Sequence, residues 1–408
     1  MRWIIFIIIY ILIDVYAFQA VKTLTKNYWI YGFYIAISVL LLGAFIYQIE
    51  YGSSNRTMTP VRMYTFGVFL AFFVPKLFLI IIMFGEDSIR FLIGVFSKIN
   101  GNDQGFYMPS RRKFVSTIAL GLAAIPFSSL LYGMYRGKYN YKVLNYAVEF
   151  DDLPEAFDGY TITQISDVHS GSFDNEEKIS YGIDLINEQR SDIIVFTGDL
   201  VNNVAEEMAP WKKLFSKLTA SDGVYSVLGN HDYGDYVSWD TPEAKKRNLE
   251  DLKNLQRDMG WNLLLNEHTS LERNGQAIKL IGVENWGAGG FKKAGDLEKA
   301  CNGIEKEDFK VLLSHDPSHW KEQVKGDDRN FHLTLSGHTH GMQFGIEIPG
   351  WIKWSPVKYR YENWAGMYEE LGRYINVNRG FGFIGYPGRV GIWPEISVIT
   401  LKKRRNTA

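Results

Sequence analysis

The first third of the chain consists of long apolar runs, whereas the rest alternates short apolar runs with polar segments. A helix needs about 20 apolar residues to cross a bilayer, and four runs reach that length, at residues 3–21, 29–49, 64–84 and 114–135. Stretches such as WIIFIIIYILI are apolar on every face, unlike the amphipathic helices of a soluble protein. The pattern predicts an N-terminal region, residues 1–138, with about four membrane spans.

Basic residues in the loops indicate how these spans are oriented, because positive charge favours the cytoplasmic side. The loops that carry Lys22, Lys26 and the basic group at 111–113 are expected on the cytoplasmic side, which places the C-terminal part outside. Arg56 favours the opposite orientation. The stretch SRRKFVS at 110–116 resembles a twin-arginine export signal, or is a basic flank that fixes the fourth span. We therefore expect a multi-pass protein of the inner or plasma membrane with an extracytoplasmic C-terminal domain.

Two further features of this region involve charged residues. Residues 88–99 carry apolar side chains at helical spacing beside Arg90 and Lys98, which predicts a separate helix along the membrane surface. Asp14 and Lys76 fall at similar depth in the first and third spans and could pair. Charges inside a membrane are costly, so such a pair is either structural or functional.

From about residue 141 the pattern becomes that of a soluble domain. Helical segments rich in Lys and Glu separate short β-rich runs, and this alternation predicts an α/β layered domain. The predicted strands are residues 160–166, 192–198, 223–229, 277–283, 309–315, 331–337, 373–379 and 395–401.

Polar residues of the types that bind metals or transfer protons follow five of these strands. They are Asp167, His169, Asp199, Asn230, His231, His315, His338 and His340. Open α/β sheets place their sites at the carboxyl ends of strands, so we expect these loops to converge. The other three histidines, His268, His319 and His332, lack this context and are predicted to be structural or exposed.

The composition narrows the chemistry of such a site. With 44 basic and 45 acidic residues the chain has no polyelectrolyte character, and nucleic acid is not an expected partner. The single cysteine, Cys301, excludes an internal disulfide and a thiolate metal cluster. Any metal must therefore be held by nitrogen and oxygen atoms.

The order of these motifs resembles the calcineurin-like metallophosphoesterases. The chain carries DxH at 167–169, GDLVN at 198–202, GNHD at 229–232, a middle histidine and GHTH at 337–340. The match covers about residues 142–401 and is most similar to the bacterial membrane-associated phosphodiesterase branch. It implies that residues 139–408 form an α/β metallophosphoesterase domain, a two-sheet β-sandwich flanked by helices, that hydrolyses a phosphoester.

The resemblance also implies a pair of divalent metal ions. It assigns one ion to Asp167, His169, Asp199 and His340, and the other to Asp199, Asn230, His315 and His338, so that Asp199 bridges the two. Such a pair holds a hydroxide and neutralises phosphoryl oxygens. Imidazole and carboxylate ligands suit manganese, iron or zinc without choosing among them.

Three residues outside the ligand set are candidates for catalysis. By resemblance, His231 contacts the phosphate and protonates the leaving oxygen, and Asp232 is a candidate to orient it. Arg389 matches a position suited to bidentate phosphate contact, although a surface salt bridge would also explain it. Asn202 stands where many members of the family have a second acid, and it is not expected to bind metal.

The segment at 346–372 bears on the substrate because it is rich in Trp and Tyr. Such side chains suit interfaces that are apolar at one end and wet at the other. Together with the membrane region, this indicates a lipid-linked phosphodiester or pyrophosphate, with contact to membrane lipids. The alternatives are an aromatic lid packed on the core, a catalytically silent metal-binding scaffold or sensor, and a transporter with an auxiliary domain. The sequence does not indicate an oligomeric state.

Overall fold

The computed structural model describes residues 2–52, 57–100 and 109–405. These residues form two compact units, one of residues 1–52 with 61–135 and one of residues 53–60 with 136–408. The first unit contains four helices, each long and apolar enough to cross a membrane, as predicted. They are α1 (Arg2–Leu24), α2 (Tyr28–Tyr51), α3 (Pro60–Ile99) and α4 (Pro109–Tyr135).

The third helix differs from the prediction. Residues 88–99 do not form a separate surface helix but continue α3, which runs without a break for 40 residues. After Pro75 the helix contains no proline, and an isolated glycine such as Gly85 costs only about 1 kcal/mol, which is too little to end a helix. At 1.5 Å per residue α3 is about 60 Å long, twice the hydrocarbon thickness of a bilayer.

Asp14 of α1 and Lys76 of α3 are in contact inside this unit. The Lys76 ammonium also donates to Ser38 Oγ of α2, at 2.6 Å. Tyr34, likewise on α2, donates from its hydroxyl to the Asp14 carboxylate at 3.0 Å. Three helices thus share one hydrogen-bonded charge pair, which satisfies groups that would be costly to leave alone in an apolar bundle.

In the part of the second unit that the structure describes there are fourteen strands and five α-helices of 4 to 17 residues. The helices are α5 (Glu176–Glu188), α6 (Lys212–Phe215), α7 (Pro242–Asp258), α8 (Leu297–Ala300) and α9 (Ser318–Glu322). The strands are β1 (Lys142–Phe150), β2 (Thr161–Ile165), β3 (Ile193–Phe196), β4 (Val224–Ser226), β5 (Trp261–Leu263), β6 (Glu267–Arg273), β7 (Gln276–Gly282), β8 (Lys310–Leu313), β9 (Leu333–Ser336), β10 (Ile346–Ile348), β11 (Ile352–Trp354), β12 (Gly366–Glu370), β13 (Arg373–Val377) and β14 (Glu395–Lys403).

Two mixed sheets of six strands each form the predicted sandwich. One sheet has the order β1-β14-β2-β3-β4-β5 and the other β12-β13-β9-β8-β7-β6, while β10 and β11 form a separate hairpin. Every predicted strand is present. The prediction missed β1, β5, β6, β10, β11 and β12, most of which are very short or, like EHTSLER in β6, too polar to stand out from loops.

The core lies between the sheets, with a second apolar layer under the helices. Successive residues of β3 alternate between them, since Val195 packs in the central layer and Phe196 in the outer one. Helix α5 covers the outer layer with Ile179, Ile183 and Ile186, spaced so that they share one helix face. Each such isoleucine contributes about 1.5–3 kcal/mol by burial. Helices and sheets thereby hold the strand ends in fixed positions.

The strands that precede the predicted site residues run parallel within their sheets. Strands β2, β3 and β4 are parallel neighbours, and so are β8 and β9 in the opposite sheet. Their carboxyl ends therefore meet along one edge of the sandwich.

Candidate metal centre

The loops after these strands hold the predicted ligands in an unusual backbone conformation. Five of the seven predicted ligand residues have positive φ angles, namely Asp167 (50°), His169 (47°), Asp199 (62°), His338 (71°) and His340 (50°). Residues other than glycine rarely adopt this left-handed region, and strain of this kind concentrates at functional sites.

Two glycines allow these loops to approach one another. A Cβ atom on Gly229 would lie 2.2 Å from Asp199 Oδ1, and one on Gly337 would lie 2.3 Å from Asp167 Oδ2. No heavier residue fits at either position. The glycines of the GNHD and GHTH motifs are thus explained by close packing against carboxylates.

The first group of potential ligands consists of Asp167, His169 and His340. Their ligand atoms all lie within 4.8 Å of one another, and the three residues are buried. His340 Nε2 is 3.2 Å from Asp167 Oδ1.

The second group consists of Asp199, His315 and His338, whose ligand atoms also lie within 4.8 Å of one another. His315 Nε2 is 3.1 Å from Asp199 Oδ2. Asn230 joins this group, because its Oδ1 is 2.7 Å from His338 Nδ1.

Asp199 links the two groups through a single oxygen atom. Its Oδ2, which faces His315 in the second group, is also 3.6 Å from His169 Nε2 in the first. A carboxylate so placed can contact an ion in either group.

The residues fit a pair of cations. Neither ring nitrogen of His169, nor Nε2 of His340, has a hydrogen-bond partner, although all three atoms are buried. Leaving a buried polar atom unpaired costs about 1–3 kcal/mol, and coordination to an ion would satisfy these atoms. Burial keeps the pKa of His169 well below its ordinary value, so its imidazole is neutral, which is the form that binds metals.

The backbone fixes the orientation of a ligand in the second group. Nδ1 of His315 lies 2.7 Å from the carbonyl oxygen of Thr197. Since a carbonyl only accepts, Nδ1 carries the proton and Nε2 is left to face Asp199. Such outer contacts commonly set the tautomer of a metal-binding histidine.

His231 lies beside the groups without joining either. Its ring centroid is 4.9 Å from that of His169, and its backbone N–H donates to Asp199 Oδ1 at 2.8 Å. Nδ1 donates to the carbonyl oxygen of Asn202 at 2.7 Å. The other nitrogen, Nε2, is therefore the one that can gain and lose a proton.

Comparison with known proteins identifies the family. The model of the calcineurin-like phosphoesterase domain matches residues 160–342, and that of a probable calcineurin-like phosphoesterase transmembrane domain matches residues 1–138. The metallophosphoesterase YkuE of Bacillus subtilis (strain 168) is 30% identical over 72% of this chain and 98% of its own length. The chain belongs to the calcineurin-like metallophosphoesterases.

Other relatives share the combination of membrane and hydrolase regions. A zebrafish (Danio rerio) transmembrane protein with metallophosphoesterase domain is 28% identical over 67% of this chain and 60% of its own length. Among solved structures, TT1561 of Thermus thermophilus matches 54% of this chain and 88% of its own, with 15% identity and a TM-score of 0.33. Our chain is thus a multi-pass membrane metallophosphoesterase, a metal-dependent phosphoric ester hydrolase.

Asp232 makes contacts in this metallophosphoesterase that differ from those predicted. Its carboxylate does not orient the His231 ring, which bonds to a carbonyl instead. It is fully buried and accepts backbone N–H groups from Asp199 (3.0 Å), Leu200 (2.8 Å) and Gly229 (2.8 Å). Asp232 therefore ties the GDLVN loop to the GNHD loop, and its effect on the site passes through the backbone.

Arg389 is not the surface ion pair of the alternative expectation, whereas its contact with a phosphate stays a prediction. It is completely buried and donates from Nε and Nη2 to the carbonyl oxygen of Gly382 and from Nη2 to that of Gly380. Burial lowers its pKa to about 9, so it remains charged at neutral pH. Gly382 in turn donates its N–H to the carbonyl of Asp167 at 2.9 Å, so Arg389 braces the loop behind a ligand.

The prediction missed two tyrosines that touch the ligands. The Tyr236 hydroxyl accepts from Asn230 Nδ2 at 2.7 Å, and the Tyr236 ring packs on His231 with centroids 4.4 Å apart. The Tyr361 hydroxyl is 2.9 Å from His338 Nε2. Tyr361 lies in the aromatic segment that the sequence singled out, but nothing in the sequence indicates which tyrosine of that segment reaches the site.

The remaining histidines make structural contacts away from the metal centre. His332 accepts the N–H of Lys310 on Nδ1 at 2.9 Å and reaches Asp152 through Nε2 at 2.7 Å. His319 lies between Ser314 and Gln323, and His268 contacts the carbonyl of Ala300. Asn202, as expected, is outside the ligand groups, and its side chain pairs with Ser172.

Proposed function

We propose that this metallophosphoesterase hydrolyses a phosphodiester or a lipid-linked pyrophosphate at a dinuclear centre. The observation that carries the proposal is the single Asp199 oxygen that faces both groups of ligands. The proposed ligands of one ion are Asp167, His169, Asp199 and His340, and those of the other are Asp199, Asn230, His315 and His338. Manganese, iron and zinc all suit this nitrogen and oxygen set.

Two bound divalent ions would polarise the phosphoryl oxygens and supply an activated water. The protein provides the remaining chemistry. His231, whose Nδ1 is held by the Asn202 carbonyl, presents Nε2 to donate a proton to the leaving oxygen. Asn230 provides a neutral ligand oxygen that does not repel an anionic substrate. Tyr236 packs on His231 and limits its movement.

Two features support a substrate from the membrane and a catalytic domain on its outer face. The chain carries four candidate spans, so the hydrolase is held beside lipid. The basic loops of the N-terminal region favour an extracytoplasmic domain. We also propose residues 1–138 and 139–408 as the functional division, in support of which the first compact unit ends at Tyr135.

The test is manganese-dependent hydrolysis of an aryl phosphodiester by the full chain in detergent, with metal content measured on the same samples. We expect Asn230→Ala to reduce turnover by about 100-fold or more, since it removes a ligand, and His231→Ala to reduce kcat by about 100- to 10,000-fold with both ions retained. Asn254→Ala, an exposed change on α7, is the matched control.

The rival function is a metal-binding scaffold. If the wild-type chain bound two ions yet hydrolysed neither the aryl ester nor a lipid pyrophosphate in mixed micelles, the scaffold would replace our proposal. Turnover that survived in Asn230→Ala would instead mean that hydrolysis takes place away from this centre.

A further inference from the structure

One stretch of the hydrolase domain exposes an unusual concentration of apolar side chains. Eight large apolar residues are exposed among the described residues after Tyr135, and five of them fall between positions 342 and 359. They are Met342 (59% exposed), Ile346 (51%), Ile348 (43%), Trp351 (77%) and Tyr359 (78%). Soluble surfaces rarely gather such residues, and exposed apolar patches commonly mark an interaction site.

Three of the five belong to the hairpin of β10 and β11, whose register pairs Ile346 with Trp354 and Ile348 with Ile352. The hairpin is firmly attached to the domain rather than free. Glu347, between the two exposed isoleucines, forms a salt bridge at 2.6 Å with the buried Arg379. Its negative charge is thereby compensated, and the tip at Trp351 projects from a rigid base.

The hairpin lies beside the strand on which the chain enters this domain. Glu347 of β10 and Pro349 of the turn line a cavity of about 300 Å³ together with Lys142 and Leu144, near the start of strand β1. Only six residues, 136–141, join α4 to β1. A linker of six residues spans about 20 Å at most, so it limits the distance between the end of α4 and the start of β1.

We propose that the β10–β11 hairpin inserts its exposed side chains into the interface of the bilayer that holds the chain's own helices. The chemistry matches that surface, since Trp and Tyr favour the boundary between headgroups and acyl chains, and isoleucine favours the acyl side. Lys358 lies next to Tyr359, and its long side chain can bury its stem while the ammonium group remains among the headgroups.

The position of the hairpin connects this surface to the metal centre. It follows the GHTH motif by five residues and precedes Tyr361, whose hydroxyl contacts His338. Ser355, just after β11, donates to the carbonyl of Gly341 at 2.8 Å, which ties the hairpin to the ligand loop. Insertion would therefore set the metal centre at the lipid surface, although the contact itself does not depend on catalysis.

The test places a fluorescent probe on the full chain in phosphatidylcholine vesicles. A Trp351→Cys variant carries an environment-sensitive label, and Leu371→Cys, in the β12–β13 turn and equally exposed at 78%, is the matched control. The native Cys301 is buried, so the unaltered chain serves as the labelling blank. Quenching is measured with lipids that carry a nitroxide and with aqueous iodide. Ile348→Cys provides a second position if Trp351→Cys folds poorly.

We expect the probe at 351 to shift its emission to shorter wavelength, to be quenched by nitroxide lipids and to lose most iodide quenching, while the probe at 371 behaves in the opposite way. Equal iodide quenching at both positions would overturn the proposal. So would protection of position 351 from both quenchers, which would mean that a protein surface, such as a second copy of the chain, covers the hairpin. Lipid quenching at both positions would show that the hairpin has no special role.

Discussion

The burial of Arg389 leads to a prediction that separates a structural role from a phosphate-binding role. We consider Arg389→Met, which keeps the length of the side chain and removes its charge and donors. The substitution leaves the carbonyls of Gly380 and Gly382 without the hydrogen bonds they receive from the guanidinium. The Gly380 carbonyl keeps the N–H of Glu395 as a donor, so only the Gly382 carbonyl is left unpaired, at a cost of about 1–3 kcal/mol.

A compensating gain reduces this loss. The guanidinium is fully desolvated in the folded protein, and replacing a buried charge with an apolar group of similar volume recovers part of that penalty. We therefore expect the free energy of unfolding to fall by about 1–2 kcal/mol. For a domain of this size, each kcal/mol lowers Tm by about 2–4 °C, so the expected decrease is about 2–8 °C.

The assay is thermal unfolding of the full chain in detergent, followed by circular dichroism, with KM for an aryl phosphodiester measured below the transition. Arg404→Met is the control, since the Arg404 side chain is 48% exposed and its surface ion pairs contribute little. An unchanged Tm together with a KM raised about tenfold or more would refute our reasoning, because that is the result expected for a lost charged contact to substrate.

Three further predictions concern the surroundings of the metal centre. Burial raises the pKa of Glu207 to about 7. The free energy of unfolding of the protein therefore falls as pH rises from about 4.5 to 7. Glu207→Gln should raise Tm above about pH 7 but not below about pH 4.5. Chelation should lower the free energy of unfolding by up to about 2.7 kcal/mol for each ion present at 100 times its Kd, and so lower the wild-type Tm, which added manganese should restore. Asp232→Ala should cost about 3 kcal/mol or more in denaturant unfolding, since it unpairs four buried backbone amides; a smaller loss would contradict the bracing role.

The sequence was sufficient to predict the residues that gather at the metal centre. Asp167, Asp199 and His315 each follow a short apolar strand by two or three residues, and parallel strands necessarily bring such positions to one edge of a sheet. Hydrophobic pattern and strand direction together therefore determine the convergence. This is why eight strands and the convergence of their loops could be predicted without coordinates, whereas the division of the residues into two groups was implied by the family resemblance.

The roles of Asp232 and Arg389 could not be predicted in the same way. Charged residues are almost never fully buried unless they are paired, so sequence alone favours exposed or catalytic roles for them. Their partners are backbone N–H and C=O groups, which every residue possesses and which therefore leave no signal in the sequence. The hairpin of β10 and β11 was missed for another reason, because three-residue strands are too short to show a period.

The length of α3 determines how many of its residues lie outside the hydrocarbon layer of the membrane. Even at a tilt of about 40°, a hydrocarbon layer of about 30 Å holds only about 26 helical residues, so about 14 of the 40 residues of α3 must emerge. The part that emerges is the C-terminal end of α3, because it is charged. There Asp87 forms salt bridges with Arg90 and with Arg112 of α4. The last turns of α3 and the first turns of α4 therefore form a structured, charged element outside the hydrocarbon layer.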